Sequence, residues 1–188
     1  MTKRDTFWPG LSITAILAMT VFQLHRQGRV FWCACGSLNV WAGDIWSSHN
    51  SQHVLDPYSF THVLHGVLFC GLLAWLLPRL PPVWRLTATV FLEAVWEIAE
   101  NSRFIIQRYR EATIGLGYEG DSIINSIADI VCCGIGFALA RRLGWRRSAI
   151  LFVVTELILL VWIRDNLTLN VLMLLHPVEV IKAWQMVH

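Results

Sequence analysis

Five stretches of this chain are apolar and long enough to be considered as membrane-crossing helices. A helix rises about 1.5 Å per residue and the hydrocarbon core of a bilayer is about 30 Å thick, so roughly 17 to 25 apolar residues cross it. The stretches lie at about 7–24, 60–77, 83–105, 122–140 and 149–163, each between polar flanks. Because a helix satisfies its own backbone hydrogen bonds in lipid, the sequence predicts an all-α integral membrane bundle of about five transmembrane helices.

The composition of the 188 residues supports the same class of protein. Hydrophobic residues make up 55% and charged residues only 15%, and the mean hydropathy is +0.52, outside the range of ordinary soluble domains. The ten tryptophans are typical of membrane interfaces, where the ring and its N–H each find a suitable medium. A net charge of +2 is too small for binding to polyanions to be the main function. Composition therefore excludes a soluble enzyme, a disordered chain and a nucleic-acid-binding protein.

The two ends of the chain are interpreted from their flanking residues. The first stretch begins after Lys3 and Arg4 like a secretory signal, but His25 and Arg26 follow it where a small-residue cleavage site would stand. We expect a retained membrane anchor. The remainder, Asn166–His188, is predicted to form a C-terminal interfacial helix, with a sixth, tilted span as the alternative.

Orientation follows from the lysines and arginines of the short loops, which are enriched on the cytoplasmic side. If five helices alternate, one side of the membrane carries most of them: Lys3, Arg4, Arg79, Arg85, Arg141, Arg142, Arg146 and Arg147. We therefore expect a multi-pass protein of the cell (inner) membrane with a cytoplasmic N-terminus. No repeat or flexible linker interrupts the chain, which indicates a single membrane domain over residues 1–188.

Ionisable residues in three of the predicted spans form stripes. Each costs roughly 2.5 to 3.5 kcal/mol to insert in a bilayer and therefore needs a partner. The third span carries Glu93, Glu97 and Glu100 at i, i+4 and i+7, followed by Asn101. At about 100° per residue these side chains share one helix face.

The second and fourth spans repeat this pattern. His62 and His65 are three residues apart in the second span, and Asp121, Asn125 and Asp129 follow at intervals of four in the fourth. With a cytoplasmic N-terminus, these groups meet the glutamate stripe in the outer half of the membrane. We therefore predict a polar pocket near the outer face.

Histidine and carboxylate together are ligands for a divalent metal such as zinc, which would also neutralise the carboxylates. The loop before the second span adds His49, His53 and Asp56 as further candidate binding residues. The predicted ligands are His62, His65, Glu97 and Asp121; Glu93 or Glu100 is the predicted general base, and Asn101 and Asn125 are predicted to orient it. Metal-free pairing of the carboxylates with histidine or arginine remains the alternative, since no HExxH motif is present.

Arginine and cysteine leave further alternatives open. Three arginines follow the third span and are able to bind a phospholipid headgroup or to form salt bridges with Glu100, Glu111 and Glu119: they are Arg103, Arg108 and Arg110. Cys33 and Cys35 form a CxC pair in the first outer loop. This pair is either oxidised, with poor geometry for a bridge to each other, or part of a thiolate metal site.

Three segments carry a resemblance to a known family: HNSQHVLDPYSFTHVLHG at 49–66, EAVWEIAENSRFIIQRYR at 93–110 and YEGDSIINSIADI at 118–130. Together with the tail RDNLTLNVLMLLHP, they resemble a family of bacterial multi-pass membrane proteins catalogued as a domain of unknown function. The resemblance implies a helical fold and a bacterial cell membrane, and no activity. The histidine and carboxylate arrangement alone is similar to that of membrane-embedded, metal-dependent hydrolases acting on lipids, which is an analogy.

The sequence thus favours a membrane protein with a polar pocket near its outer face, interpreted as a metal-dependent hydrolase or transferase with a lipid substrate. Two other functions remain open. The polar stripes are also typical of hydrogen-bonded contacts in a non-catalytic scaffold, and of a proton or ion relay in a small transporter.

Overall fold

The computed structural model describes residues 3–115 and 117–187, with side chains from Phe7 onward, so the side chains of Lys3 and Arg4 lie outside the description. Seven helices follow one another: α1 (Lys3–Arg26), α2 (Ser59–Leu76), α3 (Pro82–Glu100), α4 (Arg103–Ala112), α5 (Ile123–Ile163), α6 (Leu167–Leu175) and α7 (Glu179–Gln185). The only β-pairing in the described residues is an isolated bridge between Trp41 and Leu55. The all-α prediction is confirmed.

Three of these helices are long and apolar enough to cross a membrane: Phe7–Arg26 of α1, the whole of α2, and α5. Helix α3 is of similar length, but Arg85 and its three glutamates make it less apolar. It nevertheless packs between α1 and α5 inside the bundle. Its carboxylates are therefore held among other helices, where intramembrane charges are tolerated.

Helix α5 is two helical halves of about 20 residues each, the length that a span needs. Gly144 separates them with φ 73° and ψ 169°, a backbone conformation that is not helical. The Ser148 hydroxyl donates to the Ala140 carbonyl oxygen at 3.3 Å. Residues eight apart in a straight helix lie about 12 Å apart, so the chain turns back on itself at Gly144.

The C-terminal segment contains two short helices, of 9 and 7 residues, where the sequence predicted one. Neither is long enough to span a bilayer. The Glu156 carboxylate from α5 accepts hydrogen bonds from the amides of Leu167 and Thr168, which have no partner within α6. This contact fixes α6 against the end of α5.

Glycines bring α2 and α5 into close contact. A Cβ on Gly66 would lie 1.9 Å from the carbonyl oxygen of Cys133, and one on Gly136 would lie 1.9 Å from that of Val63. Small residues permit this approach of two backbones in membrane helices. The glycine contact places the histidines of α2 beside the first half of α5.

The connection between α1 and α2, residues 27–58, has no helix. Its ends are fixed by hydrogen bonds to α5, because the amides of Ser122, Ile123 and Ile124 donate to carbonyl oxygens of this loop. Asp56 lies near the end of this connection, and its carboxylate accepts hydrogen bonds from the amides of Ser51, Tyr58 and Ser59. We call residues 27–58 the outer loop.

Candidate functional site

The centre of the site is a carboxylate held by two imidazoles. His62 Nδ1 lies 2.6 Å from Glu93 Oε1, and His65 Nδ1 lies 2.9 Å from the same oxygen. Glu93 is fully buried. Distances this short are those of charge-assisted hydrogen bonds, in which each ring donates through Nδ1. Nε2 of both rings is then the remaining nitrogen for other chemistry.

Around His62 lie carboxylate oxygens that have no hydrogen-bond partner. Both oxygens of Glu97, Oε2 of Glu100 and Oδ1 of Asp129 are buried and unpaired. Glu97 Oε1 is 3.4 Å from His62 Nδ1, and Asp129 Oδ2 is 3.9 Å from His62 Nε2. Unpaired buried carboxylates are unfavourable unless a cation or a proton satisfies them.

Two sets of potential metal ligands share His62. One is His62, His65 and Glu93, and the other is His62, Glu97 and Glu100, with the ligand atoms of each set within 4.8 Å of one another. Glu93 already accepts from two rings, whereas Glu97 and Glu100 have free oxygens. The second set is therefore the better match for a metal ion.

Asp121, a predicted ligand, is in neither set among the described residues. Its carboxylate accepts from the Asn101 side-chain amide at 2.9 Å and from the Tyr118 hydroxyl at 2.9 Å. Burial raises the pKa of Asp121 to about 6, while the bonds to Tyr118 and Asn101 act in the opposite direction. Asp121 and Asn101 connect the end of α3 to the start of α5.

Two other predicted residues, Asn125 and Asp56, bond to each other. Asn125 donates to Asp56 Oδ2 at 3.5 Å, and its own amide bonds to the Ser122 side chain that caps α5. Asp56 and Asn125 are both buried. Together they fix the outer loop to the first turn of α5.

A cavity of about 980 Å³ opens above the centre. His62, His65, Glu100 and Asp129 line its floor, and the outer loop from Cys33 to Gln52 contributes to its roof. Its wall includes apolar side chains of α2, α3 and α6: Leu68, Phe69, Trp96, Leu167 and Val171. Leu68 and Val171 are 49% and 45% exposed, so the cavity reaches the apolar outer surface of the bundle.

Carboxylates dominate the charge of this cavity. Glu100, Glu119, Asp121 and Asp129 line it, and no lysine or arginine does so among the described residues. All three tyrosines of the chain line it as well. Tyr118 donates to Asp121 and Tyr58 donates to Asp165. Acidic side chains thus outnumber the histidines, the only lining residues of the described part that can be positively charged, and the interior is suited to a cation.

The three arginines predicted to bind a headgroup or to form salt bridges lie outside the cavity lining. Arg103 is exposed. Arg108 donates to the Leu174 carbonyl oxygen at 2.8 Å, and Arg110 donates to that of Tyr118. The one ion pair among them, Arg110 with Glu119, is 4.0 Å long and exposed, so it contributes little to stability.

A second cluster lies in the outer loop at the roof of the cavity. Cys33, Cys35, His49 and His53 each offer a ligand atom within 4.8 Å of the others. The His49 and His53 rings stack with their centroids 5.2 Å apart. Hydrogen bonds with Cys33 and Ser37 lower the pKa of Cys35 to about 7, whereas burial raises that of Cys33. All five cysteines are free thiols.

Comparison with known proteins places the chain in a family. Residues 24–187 match the family model described as protein of unknown function DUF2585. The chain belongs to this family. A UPF0314 protein of Brucella anthropi is 47% identical over 93% of this chain and 89% of its own length, and one of Sphingopyxis alaskensis is 45% identical over 93% of both chains. A third, of Rhizobium meliloti, is 44% identical over 97% of this chain and 92% of its own. No solved structure matches the chain.

The family match confirms the resemblance inferred from the sequence and adds no activity. It covers every residue that lines the cavity, from Cys33 to Val171. Sequence reasoning missed Tyr109, Tyr118 and Asp165 as parts of the cavity and its border. A signal was present for Tyr118, which stands three residues before Asp121, whereas Tyr109 is nine residues beyond Glu100 and had no such signal.

Asp165 forms a buried polar junction beside the cavity. Its carboxylate accepts from the Asn166 amide and from the side chains of Tyr58, Asn170 and Gln185. Burial nevertheless raises its pKa from 3.8 to about 6. Arg164 is adjacent in sequence, but its guanidinium donates to carbonyl oxygens of Trp184 and Val187.

This junction predicts a pH dependence of stability. Because the pKa of Asp165 is higher in the folded chain, the folded chain binds more protons between pH 4 and pH 6. Stability should therefore fall as pH rises through that window, by at most about 3 kcal/mol. Asp165→Asn should remove this part of the slope, measured as the free energy of unfolding in detergent at several pH values. The exposed Glu179→Gln serves as the control, and an unchanged slope in Asp165→Asn would disprove the assignment.

Proposed function

We propose that this chain is a multi-pass protein of the bacterial inner membrane that uses a divalent metal ion, held by His62, Glu97 and Glu100, to hydrolyse or transfer an acyl or phosphoryl group of a lipid. The observation that carries the proposal is the set of unpaired carboxylate oxygens around His62 on the floor of the cavity. A cation is the simplest group that satisfies several carboxylates at once. Carboxylate with imidazole favours Mn²⁺, Fe²⁺ or Zn²⁺.

The topology in the proposal comes from charge and helix length. We count five crossings: α1, α2, α3 and the two halves of α5. The connection between α2 and α3, residues 77–81, and the turn at Gly144 then lie on the same side of the membrane as the N-terminus. Arg79, Arg141, Arg142, Arg146 and Arg147 then face the cytoplasm. The cavity lies at the opposite, outer side.

The contacts of His65 are those expected of a general base. Glu93 holds its Nδ1 at 2.9 Å, and the ring lines the cavity. A carboxylate on one ring nitrogen fixes the tautomer and makes the other nitrogen a better proton acceptor. When bound, the metal ion would act as a Lewis acid and lower the pKa of water. His65 Nε2 would accept the proton and return it to the leaving group.

The walls of the cavity favour a lipid as the substrate. Leu68 on α2 and Val171 on α6 line the cavity and are also about half exposed, which in a membrane places them against acyl chains. An amphiphile would enter between them with its polar end toward Glu100. The volume of about 980 Å³ is at the upper end of typical ligand pockets.

The apolar part of the bundle next to Glu93 disfavours a transmembrane proton or ion relay. Val90 and Ala94 on either side of Glu93 form an apolar cluster with Ile130, and Ile13 and Leu17 pack on it. A relay requires a polar path through the whole membrane. Toward residues 77–82, α2 after His65 and α3 before Glu93 contain no histidine or acidic residue.

The experiment is a product analysis. Purified protein loaded in turn with Mn²⁺, Fe²⁺ or Zn²⁺ is mixed with extracted bacterial membrane lipids, and the lipids are compared by mass spectrometry with samples containing His65→Ala. We expect one lipid class to be depleted and a lyso, dephosphorylated or transferred product to appear, and a loss of at least 100-fold in rate for His65→Ala, as for removal of a general base. An unchanged lipid pool with metal-loaded protein would contradict lipid processing.

A further inference from the structure

We propose that Cys33, Cys35 and His49 form a second, thiolate-rich metal site in the outer loop, for a zinc-like ion, with His53 as its fourth ligand. This site is independent of the function proposed above. It rests on the convergence of two segments of the outer loop, residues 33–35 and 49–53, on one point.

The distances within the cluster match those of a tetrahedral ion. Zinc binds sulfur at about 2.3 Å and nitrogen at about 2.0–2.1 Å. In a tetrahedron, two nitrogens that share the ion are then about 3.3 Å apart, and a nitrogen and a sulfur are about 3.6 Å apart. His53 Nε2 lies 3.2 Å from His49 Nδ1, and Cys33 Sγ lies 3.4 Å from the same nitrogen. Both distances are close to those that a shared metal ion would impose, and Cys35 offers its Sγ within 4.8 Å of the other ligand atoms.

The ligands differ in how firmly the protein holds them. Cys33 and His53 are 5% and 2% exposed, whereas Cys35 and His49 are exposed at the cavity roof. The Asn39 amide donates to His53 Nδ1 at 3.2 Å, which places the proton of the neutral ring on Nε2. A neutral ring that binds a metal through Nε2 carries its proton on Nδ1, so the bond from the Asn39 amide would be lost. His53 is therefore the weakest of the four ligands.

The outer loop provides a structural reason for such a site. It runs from residue 27 to residue 58 without a helix, and loops longer than about 12–15 residues without secondary structure are uncommon unless they have a function. A metal that joins residues 33–35 to residues 49–53 would close most of this loop. Ligand binding of that kind contributes directly to folding stability.

The chemistry also separates this site from the interior centre. Two thiolates select Zn²⁺ and other soft ions, whereas His62, Glu97 and Glu100 favour harder ones. Cys33, Cys35 and His49 line the same cavity. We infer a structural site that holds the cavity roof in place above the interior centre.

The test is a Co²⁺ titration of the reduced, chelator-treated full chain in detergent, because a Co²⁺–thiolate bond gives a near-ultraviolet charge-transfer absorption that carboxylate and imidazole ligands do not. We expect this absorption in the wild type, in His62→Ala and in the control Cys70→Ser, and displacement of Co²⁺ by Zn²⁺. Cys33→Ser and Cys35→Ser should each lose it. Both changes are nearly isosteric, and Cys35 is exposed, so size-exclusion elution should not change.

His53→Ala provides a graded test. Affinity for Zn²⁺ should fall by about 10- to 100-fold, as for loss of a supporting partner, and by less than in Cys33→Ser. No charge-transfer absorption in the reduced wild type would overturn the proposal. Absorption that persists in both serine variants would also overturn it. A disulfide bond between Cys33 and Cys35 in freshly isolated protein, with no Co²⁺ binding after reduction, would do the same.

Discussion

Glu97→Gln is expected to stabilise the metal-free protein and to abolish the further stabilisation that metal gives the wild type. Glu97 is fully buried and neither of its oxygens has a hydrogen-bond partner. Without metal, the neutral amide should make the protein more stable than the wild type by about 1–3 kcal/mol, because an unsatisfied charged group is removed from the interior. With Mn²⁺, which the thiolate-rich site of the outer loop does not favour, at 100 times its dissociation constant, the wild type should gain about 2.7 kcal/mol and the variant little or nothing.

The measurement is the free energy of unfolding in detergent, with chelator and with metal. Glu119→Gln is the matched control, since it makes the same change at an exposed carboxylate of the cavity lining outside the His62 set. It should keep the metal-dependent gain. A Glu97→Gln variant with the same metal response as the wild type would disprove the assignment of Glu97 as a ligand. A variant less stable than the wild type even with chelator would indicate that Glu97 is structural.

Gly66→Ala and Gly136→Ala are expected to have the largest effects on folding. Each Cβ would lie 1.9 Å from a backbone carbonyl oxygen of the opposite helix, so α2 and α5 would have to separate by more than an ångström. Overpacking of this kind costs 1–3 kcal/mol or more, and here the obstacle is backbone that cannot rotate away. We expect a loss of at least about 3 kcal/mol in each variant, with disruption of the contact between His62 and Asp129.

Two other glycines provide matched controls. A Cβ on Gly71 of α2 or Gly134 of α5 would meet nothing within 4 Å. Alanine is the better helix former by roughly 0.5–1 kcal/mol, so Gly71→Ala and Gly134→Ala should be neutral or stabilising. Thermal unfolding in detergent, followed by circular dichroism, compares all four. Equal stability of the Gly66 and Gly71 variants would contradict the helix contact described above.

The sequence predicted those parts of the fold that depend on the composition or the periodicity of a single helix. Hydropathy indicated the helices around residues 7–24, 60–77, 122–140 and 149–163, because burial in lipid depends on composition over a whole span. The loop expected between the last two spans is reduced to a turn at Gly144, and the sequence did not show this because the conformation of a glycine is known only from its φ. Helix periodicity correctly placed Glu93, Glu97 and Glu100 on one side of α3, facing His62 or the cavity.

The partners of each polar group were harder to predict, because they depend on the distances between helices. The sequence put Asp121 with the histidines, but the glycine contact of α2 with α5 brings Asp129 to His62 instead, and Asp121 bonds to Asn101. Glu93 was proposed as a base, and its two short bonds to imidazoles favour a role that orients those rings. The spacing of residues along a helix does not show which carboxylate of a stripe binds a metal, which acts as a base and which orients a histidine ring.

The most direct test of the central claim is the metal content of protein purified from membranes without added metal, measured by inductively coupled plasma mass spectrometry. The protein should carry Cys33→Ser and Cys35→Ser, so that only the interior centre is counted. We predict about one first-row metal ion per chain, retained when the exposed His176 is replaced by alanine and lost in His62→Ala. A folded protein without metal, or the same metal content in the His62 variant, would contradict the account.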